Sequence, residues 1–204
     1  MACNKAQANS TINVLDKWVL TKLDATIAET TAKLEIFNYA AAKKEVNKFF
    51  WFFVGNYLEF VKYRVYGRND GAASATLKRV LLTVLKLYAP FMPYITEEIY
   101  QKMFTAQETA RSIHKTEWPT PTYVESDKQI LKSGDDIQRV VEFIRLWKHQ
   151  QGLALNAPLK EVILTKSNPD IEDAISGIME VNSVHEGPGT TPILGSDIKI
   201  SIRA

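Results

Sequence analysis

The chain has 204 residues, 46% hydrophobic and 24% charged, with 25 basic and 23 acidic side chains for a formal net charge of +2. These are ordinary values for one large or two small globular domains, and they exclude disorder as the main state, which needs fewer apolar residues and one dominant sign of charge. The single cysteine, Cys3, excludes an internal disulfide framework and a cysteine-rich zinc site. No apolar run approaches the ~20 residues of a membrane-spanning helix. The opening residues Met1-Ala2-Cys3-Asn4-Lys5 have no apolar signal core. A cytoplasmic protein with no membrane partner is the expectation.

The first two thirds read as helices. Asn13 is an N-cap, and Asp16 in the first turn complements the helix dipole. Leu15, Trp18, Val19, Leu23, Ile27 and Leu34 then recur at helical spacing. Asn38 caps a second long helix with the stripe Ala42, Val46, Phe49, Phe50, Phe53, Tyr57, Phe60 and Val61, which a left-handed Gly67 stops. Leu77, Val80, Leu81, Val84, Leu85 and Tyr88 mark a third helix. Pro90 and Pro93 break it, and a short helix restarts at Thr96-Glu97-Glu98. Residues 104–126, with Pro119 and Pro121, read as a loop or extended crossing. Ser126 and Gln129 suggest a capping box for a helix carrying Ile137, Val140, Val141, Ile144 and Trp147, which Gly152 ends.

After Asn156-Ala157-Pro158 the composition changes. Leu159 to Thr165 is a β-branched strand, Asn168-Pro169 opens a short helix through Ile178, and Val181 to His185 and Ile198 to Ile202 read as two more strands. The expected fold is mainly α. Its divisions are a remnant or disordered segment at 1–12, a helical bundle over 13–156 and a small α+β subdomain over 157–204.

The near-neutral total hides an asymmetry. From Lys43 to Arg68 six basic residues face two acids, which gives +4, and from Glu161 to Ala204 three basic residues face seven acids, which gives −4. Trp51, Tyr57, Tyr63 and Tyr66 interleave with the basic segment. Cations attract phosphates and flat rings stack on unpaired bases, so the pattern suits nucleic acid. It equally suits a solvated helix face backed by core aromatics. No phosphate-cradling glycine loop is present, His114, His149 and His185 are isolated, and Glu97-Glu98 reads as dipole complementation. No catalytic residue, cofactor or metal is expected.

Several stretches together resemble one family. Leu15-Asp16-Lys17-Trp18-Val19-Leu20 looks like the helix start that follows the catalytic body of valyl-tRNA synthetases. Asn56-Tyr57-Leu58-Glu59-Phe60-Val61-Lys62-Tyr63-Arg64-Val65-Tyr66-Gly67 is similar to that family's second bundle helix. Ala89 to Tyr100 resembles the Pro-Phe-Met-Pro-x-Ile-Thr-Glu-Glu block shared by the valine, isoleucine and leucine enzymes. Ser112-Ile113-His114 with Glu117-Trp118-Pro119 matches their closing segment, and Lys148 to Pro158 looks like the archaeal-type valine enzymes. The class I catalytic motifs, the Rossmann body and the editing domain are missing from the match.

The resemblance implies the anticodon-binding bundle and C-terminal part of a valyl-tRNA synthetase. Such a module binds tRNA, valine-type first, and contributes to ATP-dependent aminoacylation in the whole enzyme without being catalytic alone. The catalytic part of a synthetase is a second implied partner. An isoleucyl-type fragment, or a synthetase-derived interaction scaffold without tRNA contact, is the alternative. By position Phe53 matches an aromatic near the anticodon, though it also lies on the apolar stripe. Lys62 and Arg64 match the family's Lys-x-Arg exit, as phosphate or base contacts or as a solvated helix end. Arg145 and Lys148 lie on the last bundle helix, which the resemblance sets beside the anticodon stem, on a side read as distinct from Ile137, Val140 and Ile144. Trp118 reads as a plug at the bundle end.

Overall fold

The computed structural model describes residues 12–106, 108–122 and 128–203. Seven α-helices precede or punctuate a four-stranded sheet among these residues. The fold is therefore mainly α with a small C-terminal α+β part, as expected. The chain groups into two compact units, one built from 19–58 and 71–122, the other from 12–18, 59–70 and 128–203.

The first unit contains most of α1 (Val14–Glu35), all of α2 (Tyr39–Phe52), α4 (Gly71–Tyr88) and α5 (Pro93–Met103). Helix α1 ends in paired turns, with Asn38 N–H donating to the Lys33 carbonyl at 2.8 Å and Phe37 N–H to that of Leu34 at 2.9 Å. Phe37 takes the left-handed conformation, φ 57°. Asn38 then caps α2 by accepting from Ala41 N–H at 3.2 Å. Val46, Phe49 and Phe53 turn inward, as do Val80, Val84 and Tyr88 of α4. Helix α5 starts at Pro93 rather than Thr96, because proline lacks the N–H that a first helical position leaves unused.

Glu97 does more than complement a dipole. Its carboxylate accepts from Gln101 at 2.6 Å, from Ser112 Oγ at 2.9 Å and from Ile113 N–H at 2.9 Å. These bonds, the Gln101 amide first, hold its pKa below the usual carboxylate value. The Pro93 block and the Ser112-Ile113-His114 segment are thereby one structural device, and Ile113 joins Leu85, Ala89, Tyr100 and Phe104 in a buried cluster. Trp118 turns inward as expected and donates from Nε1 to Thr31 Oγ1 at 2.8 Å.

The second unit holds α3 (Leu58–Lys62) from Glu59 onward, α6 (Lys128–Gln150) and the α+β part. Two π-helical turns, Phe53–Tyr57 and Tyr63–Gly67, flank α3. Gly67 lies inside the second turn and is not left-handed. Asn69, φ 50°, supplies the reversal instead. The capping box proposed at Ser126 lies outside the described residues. Helix α6 ends at Gly152, φ 67°, with Leu153 N–H bonded to the Lys148 carbonyl and Gly152 N–H to that of His149.

Strand β1 (Leu159–Leu164) pairs in parallel with β2 (Val181–Glu186) through the crossover helix α7 (Pro169–Met179), which Asn168 caps. Strand β4 (Lys199–Arg203) runs antiparallel to β1, and a two-residue β3 (Thr191–Pro192), not foreseen from the sequence, completes the order β2-β1-β4-β3.

Trp18 is fully buried, stacks on Phe60 at 6.3 Å and donates Nε1–H to Asp135 at 2.9 Å. A methyl group at Gly134 would sit 2.2 Å from the Trp18 ring. Gly134→Ala is expected to destabilise the protein by about 1–3 kcal/mol through overpacking. Equal urea midpoints for the variant and wild type would contradict this packing.

Candidate nucleic-acid interface

The exit of the second helical segment is organised by burial. Tyr57, Phe60, Val61 and Arg64 follow one another at helical spacing, and all four lie inside the protein. A guanidinium at such a position must be paired, because an isolated buried charge costs several kcal/mol. Arg64 is paired on both sides. Nη1 and Nη2 donate to the two oxygens of the fully buried Asp16 at 2.7 and 2.8 Å. Nε and Nη2 donate to Asp70 at 3.0 and 2.8 Å. Burial works against the charge, but the bonds to Asp16 and Asp70 outweigh it and raise the pKa above the ordinary arginine value. The Arg64 carbonyl also accepts the N–H groups of Arg68 and Asp70. Asp16 is thus an ion-pair partner as well as a first-turn acid.

Lys148 has a parallel role on α6. It continues the stripe Ile137, Val140, Val141, Ile144 and is fully buried, on the same side as those residues rather than a distinct one. Its ammonium donates to the carbonyls of Leu155 and Met179, each at 3.0 Å. Burial lowers its pKa, against the opposing charge of Glu180. Phe53 is also interior, with rings stacked against Phe49 at 6.4 Å and Tyr57 at 6.0 Å.

Lys62 and Arg145 are the two expected site residues that reach a common surface. They face a groove of about 620 Å³ with Tyr63, Tyr66, Leu155 and Met179 on its walls. Lys62 is exposed and paired with Glu59 at 2.6 Å, a solvated surface contact of the kind that contributes little to stability. Arg145 is half-buried, its guanidinium 5.8 Å from the Phe60 ring centroid. Tyr66 stands 84% exposed at the rim. Tyr63 is held by its hydroxyl, 3.5 Å from Asp173, and by the close approach of Gly177 to its ring. Burial first, then the Asp173 charge, pushes its pKa up to about 12, so it stays a neutral donor. Both buried cations serve this groove from behind: Lys148 holds two of its wall residues, and Arg64 fixes the turn that carries Tyr63 and Tyr66.

The basic and acidic halves meet at the groove's edge, where Arg68 donates to both Asp173 oxygens at 2.8 and 3.0 Å. That pair removes one cation from the +4 segment. Among the described residues no group of three or more His, Cys, Asp or Glu is placed to hold a metal, and no helix is long and apolar enough to cross a membrane.

Residues 16–164 match the family described as the anticodon-binding domain of tRNA ligase. The chain is also similar to the valine–tRNA ligase of Haloarcula marismortui, 36% identical over 193 residues, which cover 92% of this chain and 21% of the relative. The Thermococcus kodakarensis enzyme is 34% identical over 188 residues, 88% of this chain and 21% of the relative. The Anaplasma marginale enzyme is 36% identical over 162 residues, 77% of this chain and 19% of the relative. The chain spans about a fifth of the length of these curated relatives. It belongs to the family of anticodon-binding domains of tRNA ligases.

Proposed function

We propose that this chain is the tRNA-binding module of a valine-type tRNA ligase and works in the cytoplasm with a catalytic part that performs the ATP-dependent aminoacylation. The observation that carries the reading is the groove in which Lys62 and Arg145 flank an exposed Tyr66. Two cations beside a presented ring suit an unstacked anticodon nucleotide and its phosphates. In this reading Lys62 makes the phosphate contact. Arg145, with its planar fork, makes the more specific one. Arg64 and Lys148 act by positioning, since their side chains are interior, and Phe53 is a core ring of the first unit.

One observation favours a scaffold that has lost tRNA. Glu59 and Glu180 line the same groove and offset its cations. Binding of labelled tRNA at two salt concentrations separates the readings. The module should bind tightly at low salt and weaken steeply as salt rises. Lys62→Ala should flatten the salt slope by about one unit for every tRNA. A base contact by Arg145 should instead cost about 1–3 kcal/mol for a valine-type anticodon and little for a swapped one. Absence of tRNA binding at low salt would leave the scaffold reading, and a salt slope and anticodon preference untouched by both substitutions would put the contact outside the groove.

A further inference from the structure

We propose a second nucleic-acid contact on α2, in which Trp51 is a stacking platform for one unpaired base and Lys44 and Lys48 hold the adjoining phosphates of a single strand. Ala42, Val46, Phe49 and Phe53 define the buried stripe of this segment. Lys44, Lys48 and Trp51, spaced i, i+4 and i+7, share the opposite face. All three are exposed, Trp51 by 69%.

A single exposed tryptophan is unremarkable by itself. Three observations separate this one from a chance surface residue. The first is its support. The Phe50 ring meets Trp51 edge-on at 5.4 Å, Phe50 is itself packed edge-on against Tyr88 at 5.9 Å, and the Tyr88 hydroxyl donates to Asn47 at 2.7 Å. An indole buttressed through three residues loses less freedom when a base stacks on it. The second is room. Four residues on, Gly55 is exposed and contributes no side chain of its own, and a methyl group there would meet nothing within 4 Å. The third is charge. Glu45 is the one acid of α2, and its carboxylate lies on Lys33 at 3.1 Å. Lys44 and Lys48 make no ion pair among the described residues. They stand about 6 Å apart along the helix axis. A ring in line with unneutralised cations on one helix face is an arrangement that binds single strands without regard to sequence, because every base has a π-face. Lysine is depleted at protein–protein interfaces, so the two cations in line with the ring favour nucleic acid over a protein partner.

This contact does not rest on the groove of Lys62 and Arg145, and the experiment keeps them apart. The intact chain is titrated onto an end-labelled ten-nucleotide RNA homopolymer and onto an RNA duplex, with fluorescence anisotropy as the readout. Trp51→Ala should weaken single-strand binding by about 5- to 150-fold, and Trp51→Phe by much less. The duplex should bind the wild type and Trp51→Ala equally, since its bases are not free to stack. Lys44→Gln with Lys48→Gln should flatten the single-strand salt slope by about 1.4. The proposal is overturned if the wild type does not bind the homopolymer, if Trp51→Ala binds it as the wild type does, or if the substitution weakens duplex equally. An unchanged Trp51→Ala would leave this face to a protein or to solvent. Loss of homopolymer binding in Trp51→Ala, together with tRNA binding indifferent to Lys62 and Arg145, would remove the groove reading and leave this one standing.

Discussion

Arg64→Ala is expected to lower unfolding stability by about 3–5 kcal/mol, because it strands the fully buried carboxylate of Asp16 without its partner. The loss is thermodynamic rather than one of RNA contact. With 4% of the side chain exposed, and with bonds to Asp16 and Asp70 in place, the guanidinium presents almost nothing to a ligand. A loss of this size is a large part of a small domain's stability. The variant should therefore show a strongly reduced urea midpoint. At low temperature, where it still folds, its tRNA salt slope should equal that of the wild type. Arg64→Met combined with Asp16→Leu should recover much of the stability, since replacing a buried ion pair by apolar groups is often neutral. If Arg64→Ala instead kept wild-type stability and flattened the salt slope by one unit, the guanidinium would be a phosphate ligand.

The contrast between Arg64 and Lys62 shows how far this sequence can be read. Both are basic, two residues apart, and both match the same short pattern. Their neighbours separate them. Arg64 follows Tyr57, Phe60 and Val61 at helical spacing, and Lys148 follows Ile137, Val140, Val141 and Ile144 in the same way. A cation on an apolar stripe signals a buried partner. Reading basic residues as solvent-facing by type hid that signal. The partner itself was not legible, because Asp16 lies 48 residues away in sequence and no local rule links the two. Local devices were legible for the opposite reason. Asn13, Asn38, Asn168 and Gly152 make their bonds within five residues. The two π-turns and the two-residue β3 were not. One extra residue in a turn barely disturbs apolar spacing, and two residues ending in Pro192 carry no alternation. The groove was half legible: Lys62 and Arg145 came from pattern, whereas Tyr66 as its rim and Lys148 as its rear support required the fold.

Lys148→Ala is expected to cost about 3–5 kcal/mol. It leaves a cavity where a long side chain was fully buried and removes the donor from two carbonyls, those of Leu155 and Met179. Lys148→Met keeps most of the volume and separates charge from packing. Burial lowers the folded-state pKa of Lys148 below the ordinary 10.5. Below the lowered value the lysine is charged in both states and the full burial penalty applies. Between that value and 10.5 the unfolded chain binds the extra proton, so the contribution of this residue to stability rises with pH. Urea unfolding of wild type and Lys148→Met at pH 7 and pH 10 isolates the effect, because every other titrating group is common to both. Wild type should gain on the variant as pH rises. Since Leu155 and Met179 also form walls of the groove, Lys148→Met should weaken tRNA binding at pH 7 without changing its salt slope, as expected of a residue that positions the surface and does not touch phosphate. A stability difference that stayed flat or fell with pH would mean that the ammonium is hydrated in the folded state. A slope reduced by one unit would mean that it reaches the RNA.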